Sequence, residues 1–169
     1  MVGLRALERC SDLLKGFEVA IYSSNEKDSP GVQLAAKLFS AKTGVPNRIL
    51  PPRTPHEEIL KLHGMSRISI GLNISDGIST SFLESLVMGS FPIQSDTGCA
   101  DEWIECGKSG FLVPPEDPEI IERNIRTALT DDKLVDMATD INWKTARKHL
   151  DQKTITKKAQ EMYHMISNQ

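Results

Sequence analysis

Two carboxylates stand eight positions apart in the stretch SDGISTSFLES, Asp76 just before a glycine and Glu84 inside an apolar-periodic run. A carboxylate offers two acceptor oxygens, a spacing that matches vicinal hydroxyls. Two such acids lining one cleft can grip a polyhydroxylated ligand, as an acid grips a ribose in nucleotide sites. Between them lie Gly77, Ile78, Ser79, Thr80 and Ser81. Gly77 permits close backbone approach, and the small residues fall where the pattern predicts a helix starting after a strand. Free N–H groups and the positive end of the dipole make such a start an anion site. Each acid also has a plain structural reading. Ser81 to Glu84 fits the S-x-x-E capping box, in which Glu satisfies a backbone N–H, and an Asp ahead of a helix commonly caps or turns. Spacing alone leaves both open.

The elements that must position these residues alternate along the whole chain. LRALERCSDLLKG puts Leu4, Leu7, Cys10, Leu13 and Leu14 on one helical face, with Gly16 at its end. FEVAIYSS reads as a strand. SPGVQLAAKLFSAKTG reads as a helix opened by Ser29 and Pro30 and closed by Gly44. NRIL is a short strand. TPHEEILKLHG places Thr54 at the N-cap, Pro55 at the first helical position and Glu57 in the capping-box position. SRISIGL is a strand, ISTSFLESLVMG a helix, and GFLVP a strand. Asp117-Pro118-Glu119 opens the next helix with a cap, a helix-starting proline and an acid matched to the dipole. Two more helices are predicted over about 131–149 and 151–167, the last with an apolar stripe of Ile155, Ala159, Met162, Tyr163 and Ile166. Strands alternating with helices imply an α/β fold, a Rossmann-like three-layer domain with a parallel sheet. Ligands in such folds sit beyond the carboxyl ends of the strands, here in the loops 23–29, 50–54, 73–80 and 95–100. The chain opens on a helix where such a unit usually opens on a strand, so the first strand is expected outside this chain.

Composition narrows the classes. The 169 residues suit one domain with a real core. A net charge of −3, with both signs interspersed, gives no footprint for nucleic acid. No apolar run predicts a transmembrane segment and no signal peptide is evident. The three cysteines, Cys10, Cys99 and Cys106, lack tight spacing, which predicts free thiols and a cytoplasmic location. The four histidines are scattered, so no metal site is predicted. Trp103 and Trp143 are expected as packing anchors.

Taken together, Asp76-Gly77, Glu84, the run Val87 to Ile93, Gly98 to Glu102, Gly107 to Val113 and Asp117-Pro118 resemble the donor-binding half of the retaining, metal-independent glycosyltransferases of GT-B fold, the glycosyl transferases group 1 family. The resemblance is dense over about 66–130. It implies a domain that binds a nucleoside-diphosphate sugar and belongs to an enzyme transferring a hexose-type sugar to an acceptor hydroxyl with retention, with no cofactor. It implies that Glu84 holds the ribose hydroxyls and that Asp76 faces the donor hexose, the two acids of the catalytic centre. Gly77, Ile78, Ser79 and Thr80 would cradle hexose or phosphate oxygens through backbone amides. Arg48, Ile49 and Leu50 would meet the base, with Gly98 in the facing loop. The first acid is Asp where the family usually has Glu, one methylene shorter. Cys99 replaces the second glycine of a Gly-Gly pair.

The family has two Rossmann-like domains, so an N-terminal domain with the acceptor site is expected outside this chain. The acceptor would be a carbohydrate or a lipid-linked sugar, and peripheral association with the cytoplasmic membrane face goes with the latter. Two other classes share the architecture: epimerase-like or phosphorylase-like GT-B domains, and a non-catalytic flavodoxin-like binding module.

Overall fold

A computed structural model describes residues 2–22, 30–75 and 77–167. The first helix, α1 (Val2–Arg9), is shorter than the apolar spacing predicts. The amide of Cys10 bonds to Leu7, three residues back, and Ser11–Leu13 tighten into a 3-10 turn. Cys10 and Leu14 are nonetheless buried. Burial pushes the Cys10 thiol up to about 11, against a smaller pull from Arg126. Strand β1 (Val19–Ile21) follows, then α2 (Pro30–Thr43), whose first helical residue is the expected proline. Ser29, its expected cap, lies outside the described residues.

After β2 (Asn47–Ile49) comes α3 (His56–Met65). Thr54 is not its cap. Pro55 occupies that place with extended backbone and no side-chain bond, while the Thr54 hydroxyl donates to the Pro51 carbonyl at 2.7 Å. The hydroxyl closes the preceding turn, where Arg53 takes a left-handed φ of 64°, uncommon outside glycine. Strand β3 (Ile68–Gly71) leads to α4 (Thr80–Met88). The Ser79 hydroxyl caps α4 by accepting from the Phe82 amide at 3.2 Å, and left-handed Gly89 ends it. The remainder is β4 (Phe91–Ser95), a 3-10 turn over Ala100–Glu102, β5 (Phe111–Val113), α5 (Pro118–Thr130), α6 (Asp132–Leu150) and α7 (Gln152–Ser167). The Asp117 carboxylate caps α5 as its sequence predicts.

All strand pairs are parallel, but the described strands form two sheets rather than one: β1 with β2, and β3-β4-β5 with β4 in the middle. Among the described residues no ladder joins β1 to β3. Every residue of β4 is buried, as a central strand covered on both faces requires. The two-residue period of the strands then sorts side chains into separate cores. Phe91, Ile93, Phe111 and Val113 face α1, α5 and α6 and pack on Ala6, Ile121, Ile125 and Leu134. Leu112 points the other way, into the cluster of Phe82, Leu86, Ala100 and Ile104. Each large apolar side chain so buried contributes roughly 1.5–3 kcal/mol. β3 and β4 are therefore held rigidly, and the loops at their carboxyl ends are the loops that carry Gly77 and Gly98.

The α7 stripe is exposed: Ile155 at 48%, Met162 at 56%, Tyr163 at 72% and Ile166 at 59%. One sequence expectation fails on α6. Trp143 is 47% exposed with the Arg147 guanidinium 6.0 Å from its ring, whereas Asn142 beside it is buried. The phase of α6 turns the amide inward and the indole out. Trp103 does pack, against the Phe82 cluster and the His149 ring. No helix among the described residues is long and apolar enough to cross a membrane.

Candidate functional site

Because Ser79 is the cap of α4, Phe82 occupies the third helical position. Glu84 lies two residues further on, out of register for a capping box, which removes its plain structural reading. Its carboxylate instead turns toward α3. Nε2 of His56 donates to Oε1 at 2.7 Å, and Nε2 of His63 lies 3.9 Å from Oε2. The Glu84 side chain is largely covered, at 13% exposure.

His63 is buried and bonded on both ring nitrogens. Nδ1 lies 2.9 Å from the Ser69 hydroxyl, which bonds to the Ser90 hydroxyl at 2.7 Å. Nε2 lies 2.8 Å from the Tyr22 hydroxyl, which in turn bonds to the Ser81 hydroxyl. Burial lowers the His63 pKa below its ordinary value, with the nearby Glu84 carboxylate pulling weakly the other way. A neutral imidazole with one donor and one acceptor nitrogen suits two neutral hydroxyl partners. Tyr22 is raised, by burial first, with Glu84 adding to the rise and Ser81 opposing it. The chain of bonds ties the end of β1, the start of β3, the last turn of α3 and the first turn of α4 together beside Glu84.

The loops beyond β3 and β4 are stitched to each other. The Asn73 carbonyl accepts from the Ser95 hydroxyl at 2.6 Å and the Thr97 hydroxyl at 2.7 Å. The Gly77 carbonyl accepts from the Cys99 amide at 3.0 Å. Gly77 and Gly98 thus belong to one surface, with Ile78 packed beneath on the Phe82 cluster. Ser79 spends its hydroxyl on the cap, and Thr80 is the exposed first residue of α4. Asp76 lies outside the described residues. The Arg48 side chain is turned to Glu18, 3.4 Å away, and the Leu50 amide is taken by the Ile21 carbonyl at 2.8 Å. Ile49 and Leu50 line an open cavity of ≈ 410 Å³ together with Asn47 and with Gln33 and Lys37 of α2. No His, Cys, Asp and Glu side chains among the described residues form a group of three or more that could hold a metal ion.

Comparison with known proteins places this arrangement. The model of the family described as glycosyl transferases group 1 matches residues 31–145, more than half of the chain. The chain belongs to the glycosyl transferases group 1 family. No curated protein sequence matches it closely enough to count. Solved structures share its fold at low identity. Anabaena HepE, in complex with UDP and glucose, superposes with a TM-score of 0.77 at 18% identity, over 96% of this chain and 44% of that one. A glycosyltransferase from Rickettsia africae gives 0.78 at 20%, over 98% and 43%. The C-terminal domain of the group 1 protein LpcC from Francisella tularensis gives 0.72 at 16%, over 87% and 78%. The chain therefore spans under half of the Anabaena and Rickettsia chains.

Within this glycosyl transferases group 1 domain, the sequence singles out Glu84 but not the side chains around it. His56 and His63 are seven residues apart, two turns of α3, and therefore share one face. That spacing is a usable signal. Tyr22 follows β1, 41 residues before His63, and nothing local announces it.

Proposed function

We propose that this chain is the donor-binding domain of a glycosyltransferase that moves a hexose-type sugar from a nucleoside-diphosphate sugar to an acceptor hydroxyl. The observation that carries this reading is the carboxylate of Glu84: freed from capping, held at Oε1 by His56, and on a side chain that is not fully covered. Family membership gives it a use. Glu84 accepts from the vicinal ribose hydroxyls, and the amides of Gly77, Ile78, Ser79 and Thr80 meet phosphate or hexose oxygens at the start of α4. Asp76 faces the hexose.

In the transfer, the bond from the anomeric carbon to the diphosphate breaks. A bond to the acceptor oxygen forms on the same face, and the proton of the acceptor hydroxyl passes to the departing diphosphate oxygen. The charge growing on the departing diphosphate is met by the helix dipole and backbone N–H groups, preorganised by the stitched loops, with no resident metal in this reading. The acceptor, a carbohydrate or lipid-linked sugar, is held by a further N-terminal domain, and closure of the two domains over the donor brings the reactants together. Complexes of UDP with glucose in Anabaena HepE, and of UDP with GlcNAc in the pneumococcal O-GlcNAc transferase GtfA, support a sugar-nucleotide donor.

Calorimetric titration with UDP, GDP and ADP tests this. One of them binds the wild-type chain, and Glu84→Ala weakens it roughly 10- to 100-fold, the worth of a charge-assisted hydrogen-bond pair. Equal binding by the variant rejects the ribose assignment, and no binding of any of the three rejects the donor reading.

A further inference from the structure

The bond between His56 and Glu84 has no account in the packing of the fold. The His56 side chain is 67% exposed, at the first position of α3, yet Nε2 sits 2.7 Å from a carboxylate oxygen that is mostly covered. An ion pair with one exposed member adds little stability, and ordering the ring costs entropy. What the contact does is fix the rotation of the carboxylate. Oε1 is held by His56, while Oε2 stands 3.9 Å from His63, beyond hydrogen-bond reach, so its lone pairs are not committed to that ring. Nε2 of His63 bonds the Tyr22 hydroxyl at 2.8 Å instead of the acid. The chain reaches His56 directly from Leu50 and Pro51, which line the cavity beside β2. His56 therefore stands between the segment assigned to the base and the acid assigned to the ribose.

We infer that His56 is a positioning residue of the nucleoside site, which sets Glu84 so that both oxygens meet the 2′- and 3′-hydroxyls and so selects ribonucleotides over 2′-deoxyribonucleotides. This rests on the donor-binding reading above. An ionised carboxylate has about four lone-pair sites, so Oε1 accepts from His56 and from a hydroxyl together. Without the imidazole, the terminal torsion of Glu84 is broad and roughly two-fold. The two-oxygen grip is then lost in much of the population, and the 2′-hydroxyl ceases to count.

The test is calorimetry with UDP, GDP and ADP, each paired with its 2′-deoxy counterpart, on wild type, His56→Ala, His56→Gln and, as an exposed control on the same turn, Glu57→Ala. Wild type prefers the ribo form of the nucleotide it binds by roughly tenfold or more. His56→Ala loses affinity for the ribo form, keeps its affinity for the deoxy form, and brings the ratio to about twofold or less on the same scale. His56→Gln, which retains an N–H donor, restores part of the preference, and Glu57→Ala leaves it alone. An unchanged ratio in His56→Ala, an equal loss for both forms, or a wild type without ribose preference overturns the inference. Binding that depends on Glu84 but not on His56 removes this inference and leaves the donor reading standing. Absence of nucleotide binding to wild type removes both.

Discussion

The hydroxyl of Tyr22 lies 2.8 Å from Nε2 of His63, joining the end of β1 to the last turn of α3, with the two rings edge to face at 5.9 Å. Tyr22→Phe keeps the ring contact and deletes only the hydroxyl. His63 is 4% exposed, so its Nε2 is left without a partner in a place water reaches poorly. That orphaning costs about 1–3 kcal/mol, to be read from urea unfolding. A loss under about 0.5 kcal/mol, the level of an ordinary surface change, shows that the Tyr22 bond does not hold the network.

His63 also gives the stability a pH dependence whose sign can be worked out. Its pKa in the folded protein lies below the ordinary 6.5, chiefly because burial disfavours the charged ring, while Glu84 opposes. Below the unfolded value the unfolded chain binds the extra proton and the folded chain does not. The stability is therefore fully present above about 6.5 and falls as pH drops toward and through the folded value. One proton limits the slope to about 1.4 kcal/mol per pH unit. Asp12 and Asp151, held below their ordinary 3.8 by Arg126 and Thr154, act only in more acid solution. Guanidinium unfolding between pH 7.5 and pH 5 should show the loss in wild type and a flatter profile in His63→Gln. Parallel profiles assign the dependence elsewhere.

Gly77 separates folding from binding. A Cβ built there meets nothing within 4 Å, and its φ is not left-handed. Gly77→Ala should fold as well as wild type, or better by about 0.4–1 kcal/mol through the unfolded state. If the Gly77 amide approaches the donor, the added methyl collides with the sugar nucleotide and weakens it roughly tenfold, while leaving thermal unfolding unharmed. An alanine variant that binds the donor as wild type does removes the close approach from the site.

Asn142 and Trp143 make a paired test on α6. The Asn142 side-chain amide donates to the Ser109 carbonyl at 2.7 Å with both residues buried, while the Trp143 ring is 47% exposed. Asn142→Ala should cost about 2–3 kcal/mol, from the orphaned carbonyl and the space left behind. Trp143→Ala should cost under about 1 kcal/mol, because the indole fills no core. Differential scanning calorimetry on the two variants decides, and the reverse order would return Trp143 to the core.

Local chemistry made much of the fold legible. Asp117 before Pro118, the glycine after α2, and the strand-helix alternation each act over a few residues, and the structure repeats them. Glu84 was legible as an acid with two readings, and one fact of register, the cap at Ser79 rather than Ser81, separates them. The neighbours of Glu84 were hidden because they arrive from another helix, 28 and 21 residues away for His56 and His63. Thr54 misled because its hydroxyl can close a turn as well as cap a helix, and the left-handed Arg53 favours the turn. The division of the sheet was not legible, since pairing between β1 and β3 depends on what lies beside each strand and not on either strand's residues.

α7 adds a further consequence. All its described residues are exposed, and it follows α6 directly beyond the cap at Asp151. A helix of 16 residues with no buried side chain draws almost nothing from tertiary packing, and alone in water such a length is marginal. Its helicity is therefore tuned by temperature and salt more than by the core. Warming this protein should give a shallow, non-cooperative early drift in far-ultraviolet circular dichroism from α7, followed by one steep transition from the rest. The drift should vanish when the chain is cut after Leu150.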